Sequence, residues 1–269
     1  MIIPPRQRLH ENFKPIPLKD QITKLILCEK LFRKIPTDEQ LRLISAHLLL
    51  LSYFELSEQD RILRYLETST EANNELKTLL EAVAKKKEVS HSVASNCLHI
   101  LAIKAECLLL TGSFEKGVKA YAKVCHLYNQ WNYANSRFAP SENATPEEAN
   151  LMTKLNGCAL DFGVDDYIKA RAGLAECLMN SNRIEEAIQK FESVKRRIEQ
   201  EVVFDKPILF INICNQLGNC YLRLSQLEAA KDNFEQSLRL ISKVQSTTDR
   251  VNEVIMSKIY LNLGIIATQ

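Results

Sequence analysis

Glycine is scarce in this 269-residue chain: only 7 residues, none beside another. That scarcity weighs against α/β enzymes, whose phosphate loops and tight strand turns draw on glycine. Alternating β-branched stretches bounded by turns hardly occur, so strand signals are weak as well. An excess of one charge is also missing, since 35 basic and 33 acidic side chains leave a formal net charge of +2. Such balance exerts no pull toward nucleic acid or an anionic membrane surface. The most apolar run, "HLLLLSYFEL" at 47–56, is half of the about 20 residues that a membrane span needs. The N-terminus lacks the charged-then-apolar order of a secretion signal. What remains is an all-α chain of ordinary balance, 46% hydrophobic and 25% charged.

Recognisable chemistry is equally thin. The 5 histidines form no H-E-x-x-H motif, and Cys97 and His99 fall on different faces of a helix. "GSFEKGV" at 112–118 has glycines spaced like a phosphate loop but ends in Val118 where lysine is required. Glu147-Glu148 and Glu185-Glu186 fall in helix first turns, where carboxylates favour the dipole. Lys85–Lys87 and Lys195–Arg197 read as cations ending their helices, with a phosphate or acidic partner as the sharper alternative. The 8 cysteines include no C-x-x-C, which argues against a zinc or redox site. Reduced thiols without a secretion signal fit the cytoplasm or nucleus, where Asn143-Ala-Thr145 is only loop composition. No catalytic residue, metal or cofactor is expected.

Along the chain, residues 1–17 carry four of the 8 prolines and read as an extended N-terminal arm. Helical hairpins follow over 18–131. Pro36 stops the first helix, Thr37 and Gln40 form a capping box, and Ser57 is the expected N-cap of a helix over 57–67. Further helices are predicted over 71–87, 90–111 and, after a stop at Gly112, 114–129. Pro140, Pro146 and several Asn and Ser residues make 130–150 a loop, so 132–164 becomes an irregular insert with a short helix. Helical patterning returns for 165–269.

Within that last stretch a pattern recurs. In a unit of about 34 residues starting at Ile211, Leu217-Gly218 take places 7 and 8, Tyr221 place 11, Leu227 place 17, Ala230 place 20, Phe234 place 24 and Ser237 place 27. A unit from Ile168 repeats it with Leu174, Ala175, Leu178, Ile184, Ala187, Phe191 and Val194. A looser unit at 98–131 has Ala105, Leu108, Phe114, Gly117, Tyr121 and Val124, and a fourth opens at Ser257 with Leu263-Gly264. Small residues at places 8 and 20 let two helices approach closely, and large ones fill the space around them. Cys107, Cys177 and Cys220 share place 10, a small buried slot, and should therefore be buried and reduced.

This small-large order resembles the tetratricopeptide repeat. The unit starts at 168, 211 and 257 are 43 and 46 residues apart, like the long-helix varieties of that family. The resemblance implies antiparallel helical hairpins stacked as a right-handed superhelix, and a non-catalytic scaffold that holds a protein or peptide partner. It also implies that first helices line a concave groove. Mapped here, the groove takes Asn212, Asn215, Gln216, Asn219 and Arg223, flanked by Lys169, Glu176 and Asn180 and by Lys258 and Asn262. Asparagine is a poor helix former, so a row of amides on one face asks for a reason. Amides donate to and accept from an extended peptide backbone. A peptide- or small-ligand sensor and a structural subunit of a large assembly are the other readings. The last unit has a first helix and no second, so Leu261, Leu263 and Ile266 are expected to await a further helix or a partner.

Overall fold

A computed structural model describes residues 50–51, 53–54, 57–68, 81, 91–135, 162–200, 207–243 and 249–268. The chain divides into two compact units, Met1–Glu58 and Gln59–Gln269. The expected arm at 1–17, the capping box at Thr37, the Lys85–Lys87 run and most of the insert lie outside the described residues. So do His10, His47, Glu147-Glu148 and Asn143.

Among the described residues every regular element is a helix. We label them α1 (Gln59–Thr68), α2 (His91–Leu110), α3 (Phe114–Asn135), α4 (Val164–Asn180), α5 (Ile184–Gln200), α6 (Pro207–Arg223), α7 (Leu227–Lys243) and α8 (Asp249–Ala267). Three-residue turns join α2 to α3, α4 to α5 and α6 to α7, which makes each pair an antiparallel hairpin.

The three turns share one construction. Gly112, Asn182 and Ser225 each hold the middle place with φ of 74, 62 and 57°. Each turn caps the preceding helix with the same hydrogen bonds: the N–H of Ser113, Arg183 and Gln226 donates to Leu108, Leu178 and Tyr221 carbonyls at 2.8, 2.9 and 2.9 Å. Left-handed backbone suits glycine and, at some cost, asparagine. Ser57 repeats the device at the end of the first unit, with φ 58° and the Glu58 N–H donating to Tyr53. Ser57 therefore ends a helix. The expectation that it N-caps the next one fails, because its positive φ is not the extended backbone of an N-cap.

Side-chain interlock follows the small-large order. At Gly218 an added Cβ would stand 2.5 Å from the Phe234 ring, so only glycine admits that fully buried ring. Between hairpins, a Cβ on Gly117 would stand 2.7 Å from Cys177 Sγ, and one on Gly173 would clash with the phenol end of Tyr121. Gly117 is thus a packing residue, as its place in the repeat requires. Phe191, Phe234, Ile211 and Leu217 are fully buried, each removal from water stabilising by about 1.5–3 kcal/mol.

One further expectation is revised. Helix α3 runs on to Asn135, past 131 where the hairpin was expected to end. Just before that extension Tyr128 lies 6.2 Å from Trp131 and 5.8 Å from Phe162 between ring centroids. At the other end, Leu263 and Ile266 are already partly buried, though Leu261 is exposed. They pack against Ile211, Ala230, Phe234, Ile241 and Ile259, while Tyr260, Leu261 and Ile265 of α8 are exposed. No described helix is long and apolar enough to cross a membrane.

Candidate functional site

First helices of successive hairpins touch, α4 with α6 and α6 with α8. Their polar residues meet along this line. Gln216 Nε2 of α6 donates to Glu176 Oε1 of α4 at 3.3 Å, and Asn219 Nδ2 donates to Gln216 Oε1 at 3.0 Å. Asn262 Nδ2 of α8 donates in turn to Asn219 Oδ1 at 2.7 Å. Four of the ten sequence-selected residues therefore form one continuous rail across three helices. Each amide still has a second N–H or lone pair to offer.

The remaining six sit beside the rail without joining it. Arg223 Nη1 donates to the Met179 carbonyl at 2.9 Å, where a cation suits the C-terminal end of α4. Lys169 pairs with Asp166 one turn back at 3.3 Å, a half-exposed contact of small energetic worth. Asn212 and Asn180 are half-buried and Lys258 is exposed. Asn215 Oδ1 is enclosed and accepts no hydrogen bond among the described residues.

Sequence reading also missed a polar tie between α2 and α3. Glu106 holds the same place in its repeat as Glu176 and Asn219, and Tyr121 OH donates to its Oε2. Burial, and next the charge of Glu106, push the Glu176 carboxyl above its ordinary value. Two carboxyl groups thus share one stretch of the inner line, a setting that favours an incoming cation.

Outer ties were missed too. Tyr221 OH donates to Glu192 Oε1 at 2.7 Å, joining α6 to α5. Lys195 was expected to end its helix in solvent. Instead its Nζ donates to Asn233 Oδ1 and Gln236 Oε1 at 3.1 and 2.7 Å, linking α5 to α7. Arg197, of the same run, lies 5.5 Å above the Tyr167 ring. A long aliphatic stem lets a helix-end cation reach a neighbouring repeat.

The place-10 cysteines are wholly buried. Burial pushes the Cys107, Cys177 and Cys220 thiols up to about 12. Cys97 is also buried, and His99 packs edge-on against Phe162 at 5.0 Å. Among the described residues no three metal-ligating side chains come together.

Comparison with known proteins agrees with this architecture. Residues 211–243 match the tetratricopeptide repeat family. No curated protein sequence matches the chain. Among solved structures, BtubC (BKLC) from P. vanneervenii is similar over 94% of this chain and 84% of its own, with a TM-score of 0.59 and 13% identity. The nearly identical TPR-like repeats of a Podosopora anserina kinesin light chain protein, in a variant form, are similar over 86% and 89%, with a TM-score of 0.52 and 16% identity. These likenesses concern the fold. One repeat, 211–243, is thus matched in sequence to the tetratricopeptide repeat family, and the chain is similar in fold to TPR-like repeat structures.

Proposed function

We propose that this protein is a non-catalytic scaffold that captures an extended or helical peptide segment of a partner along the inner line of α4, α6 and α8. The observation that carries the reading is the hydrogen-bonded rail Glu176–Gln216–Asn219–Asn262. Amides fixed by one another present their remaining donors and acceptors in set directions, so little side-chain order is lost when a peptide backbone arrives. Glu106 and Glu176 at one end give a place for a basic side chain, whose charge would offset their mutual repulsion. Lys169, Asn180, Asn212, Asn215, Arg223 and Lys258 border the same track.

The test uses peptides selected from a displayed random library against the full chain. Asn212→Ala with Asn215→Ala removes two amides that make no side-chain hydrogen bond among the described residues, so melting should be unchanged or slightly higher. Affinity should fall at least about tenfold as partner backbone groups lose their counterparts. Normal binding by a folded double variant would move the partner off this track.

A further inference from the structure

One place in the repeat changes its chemistry stepwise along the inner line. Place 9 holds Glu106 in α2, Glu176 in α4, Asn219 in α6 and Ile265 in α8. None of the four is buried, so the packing of the hairpins does not dictate the series.

At the acidic end, burial and next the charge of Glu106 raise the Glu176 carboxyl, which makes the two groups near neighbours. Each accepts one hydrogen bond inside the fold, Glu106 from Tyr121 OH and Glu176 from Gln216. A carboxylate offers about four lone-pair sites, so both keep capacity for an outside donor. In the middle, Asn219 belongs to the amide rail, and the enclosed Asn215 Oδ1 has no hydrogen bond among the described residues. An acceptor in that state is costly until a donor reaches it. At the far end Ile265 is 40% exposed and Leu261, one turn back, is 66% exposed. Leu261 stands at place 5, where the earlier units carry Ala102, Ala172 and Asn215. Residues 259–269 hold no charged side chain. Two exposed aliphatic groups that continue a line of polar ones suit the apolar side chain of a ligand.

Spacing follows from helix packing. Neighbouring first helices lie about 8–10 Å apart, which puts α4 and α8 roughly 16–20 Å apart. An extended chain covers that distance in about five or six residues.

We infer that the inner line selects an extended segment carrying a basic side chain and a large aliphatic one about five or six residues apart. The basic group meets Glu106 and Glu176, the backbone between lies on the amides, and the aliphatic group covers Leu261 and Ile265. This rests on the peptide-capture reading and gives the partner its chemistry. Each end also rejects the wrong segment: an acidic side chain would face two carboxyl groups, and a polar one would leave Leu261 and Ile265 in water.

Fluorescence polarisation on the full chain would use peptide pools with Arg and Leu about six positions apart, in either order, and Ala, Ser and Thr randomised between them. Companion pools exchange Arg for Glu, or Leu for Ser. In one order the Arg/Leu pool should bind at least about tenfold more tightly than the Glu pool, and about fivefold more tightly than the Ser pool. Glu176→Gln should remove most of the first difference and keep the second, and Leu261→Ala with Ile265→Ala should do the reverse. Equal binding of all pools to the unaltered chain would overturn the inference, as would both differences surviving in both variants. Asn212→Ala with Asn215→Ala separates the inference from the reading beneath it. If the pools bind equally and this variant weakens them all, the track holds and only its selectivity is wrong. If the Arg/Leu pool binds the variant normally, the segment lies off the track and both fail. Both fail as well if no pool binds.

Discussion

The hairpins α4/α5 and α6/α7 obey one packing frame and differ in what they leave outside it. Both bury phenylalanine at place 24, alanine at place 20 and cysteine at place 10. In α6/α7 the polar residues of the first helix join the inner rail, and place 4 holds the buried Cys214. In α4/α5 that place holds Arg171, part of a basic pocket on another side. A stacked repeat can therefore carry separate polar surfaces, since each place in the frame faces one direction only. Keeping the small-large pairs fixed leaves the remaining places open to vary.

The largest expected effect tests the shared frame. Phe234→Ala should cost about 3–5 kcal/mol in denaturant unfolding, since the ring is fully buried against Gly218. Gly218→Ala should cost about 1–3 kcal/mol, because the ring has to move to admit a methyl group. Gly264 takes the same place in the last unit, yet nothing lies within 4 Å of a Cβ there. Gly264→Ala should instead stabilise by up to about 1 kcal/mol through helix propensity. Equal effects at the two glycines would break the register between α6 and α8.

A smaller effect, about 1 kcal/mol, is expected for Tyr221→Phe, which removes the half-buried hydrogen bond from α6 to Glu192 of α5. Glu176→Gln probes the inner rail through pH. The folded-state value of Glu176 is raised, so its protonated form is the one the fold favours. Its contribution is present in acid and is lost as pH rises through the raised value. The glutamine variant keeps the acceptor for Gln216 and should melt higher than the wild type at neutral pH, the two curves converging in acid. Thiol labelling without denaturant gives the smallest signal: Cys107, Cys177 and Cys220 should react far more slowly than in the unfolded chain. Rapid reaction of all three would contradict the frame.

Much of this fold could be read in the sequence, because its interlock needs small and large side chains at fixed offsets. Leu174, Ala175, Leu178, Ile184, Ala187, Phe191 and Val194 are all buried as their frame requires. The turn at Ser57 escaped because serine gives no signal of positive φ, although it sits where Gly112, Asn182 and Ser225 do. Residues 130–135 read as loop from their asparagines, yet they continue the helix whose Tyr128 packs on the distant Phe162. At the candidate site the offsets brought Asn219 to the inner line. Its bonds to Gln216 and Asn262 were not legible, because the second crosses 43 residues of intervening structure. Asn219 is thus part of the scaffold itself, and Asn212 and Asn215 are the cleaner probes of binding. Arg171 was passed over because the place-4 comparison becomes informative only once the pocket around it is seen.

The central claim is that a partner lies along the first helices. A photo-crosslinking residue placed at Asn212, on the inner line of α6, can be compared with one at Lys231, exposed on α7. With a library-selected peptide, crosslinks should form from 212 and be absent from 231. Efficient crosslinking from 231 with none from 212 would place the partner on the outer helices and contradict the account.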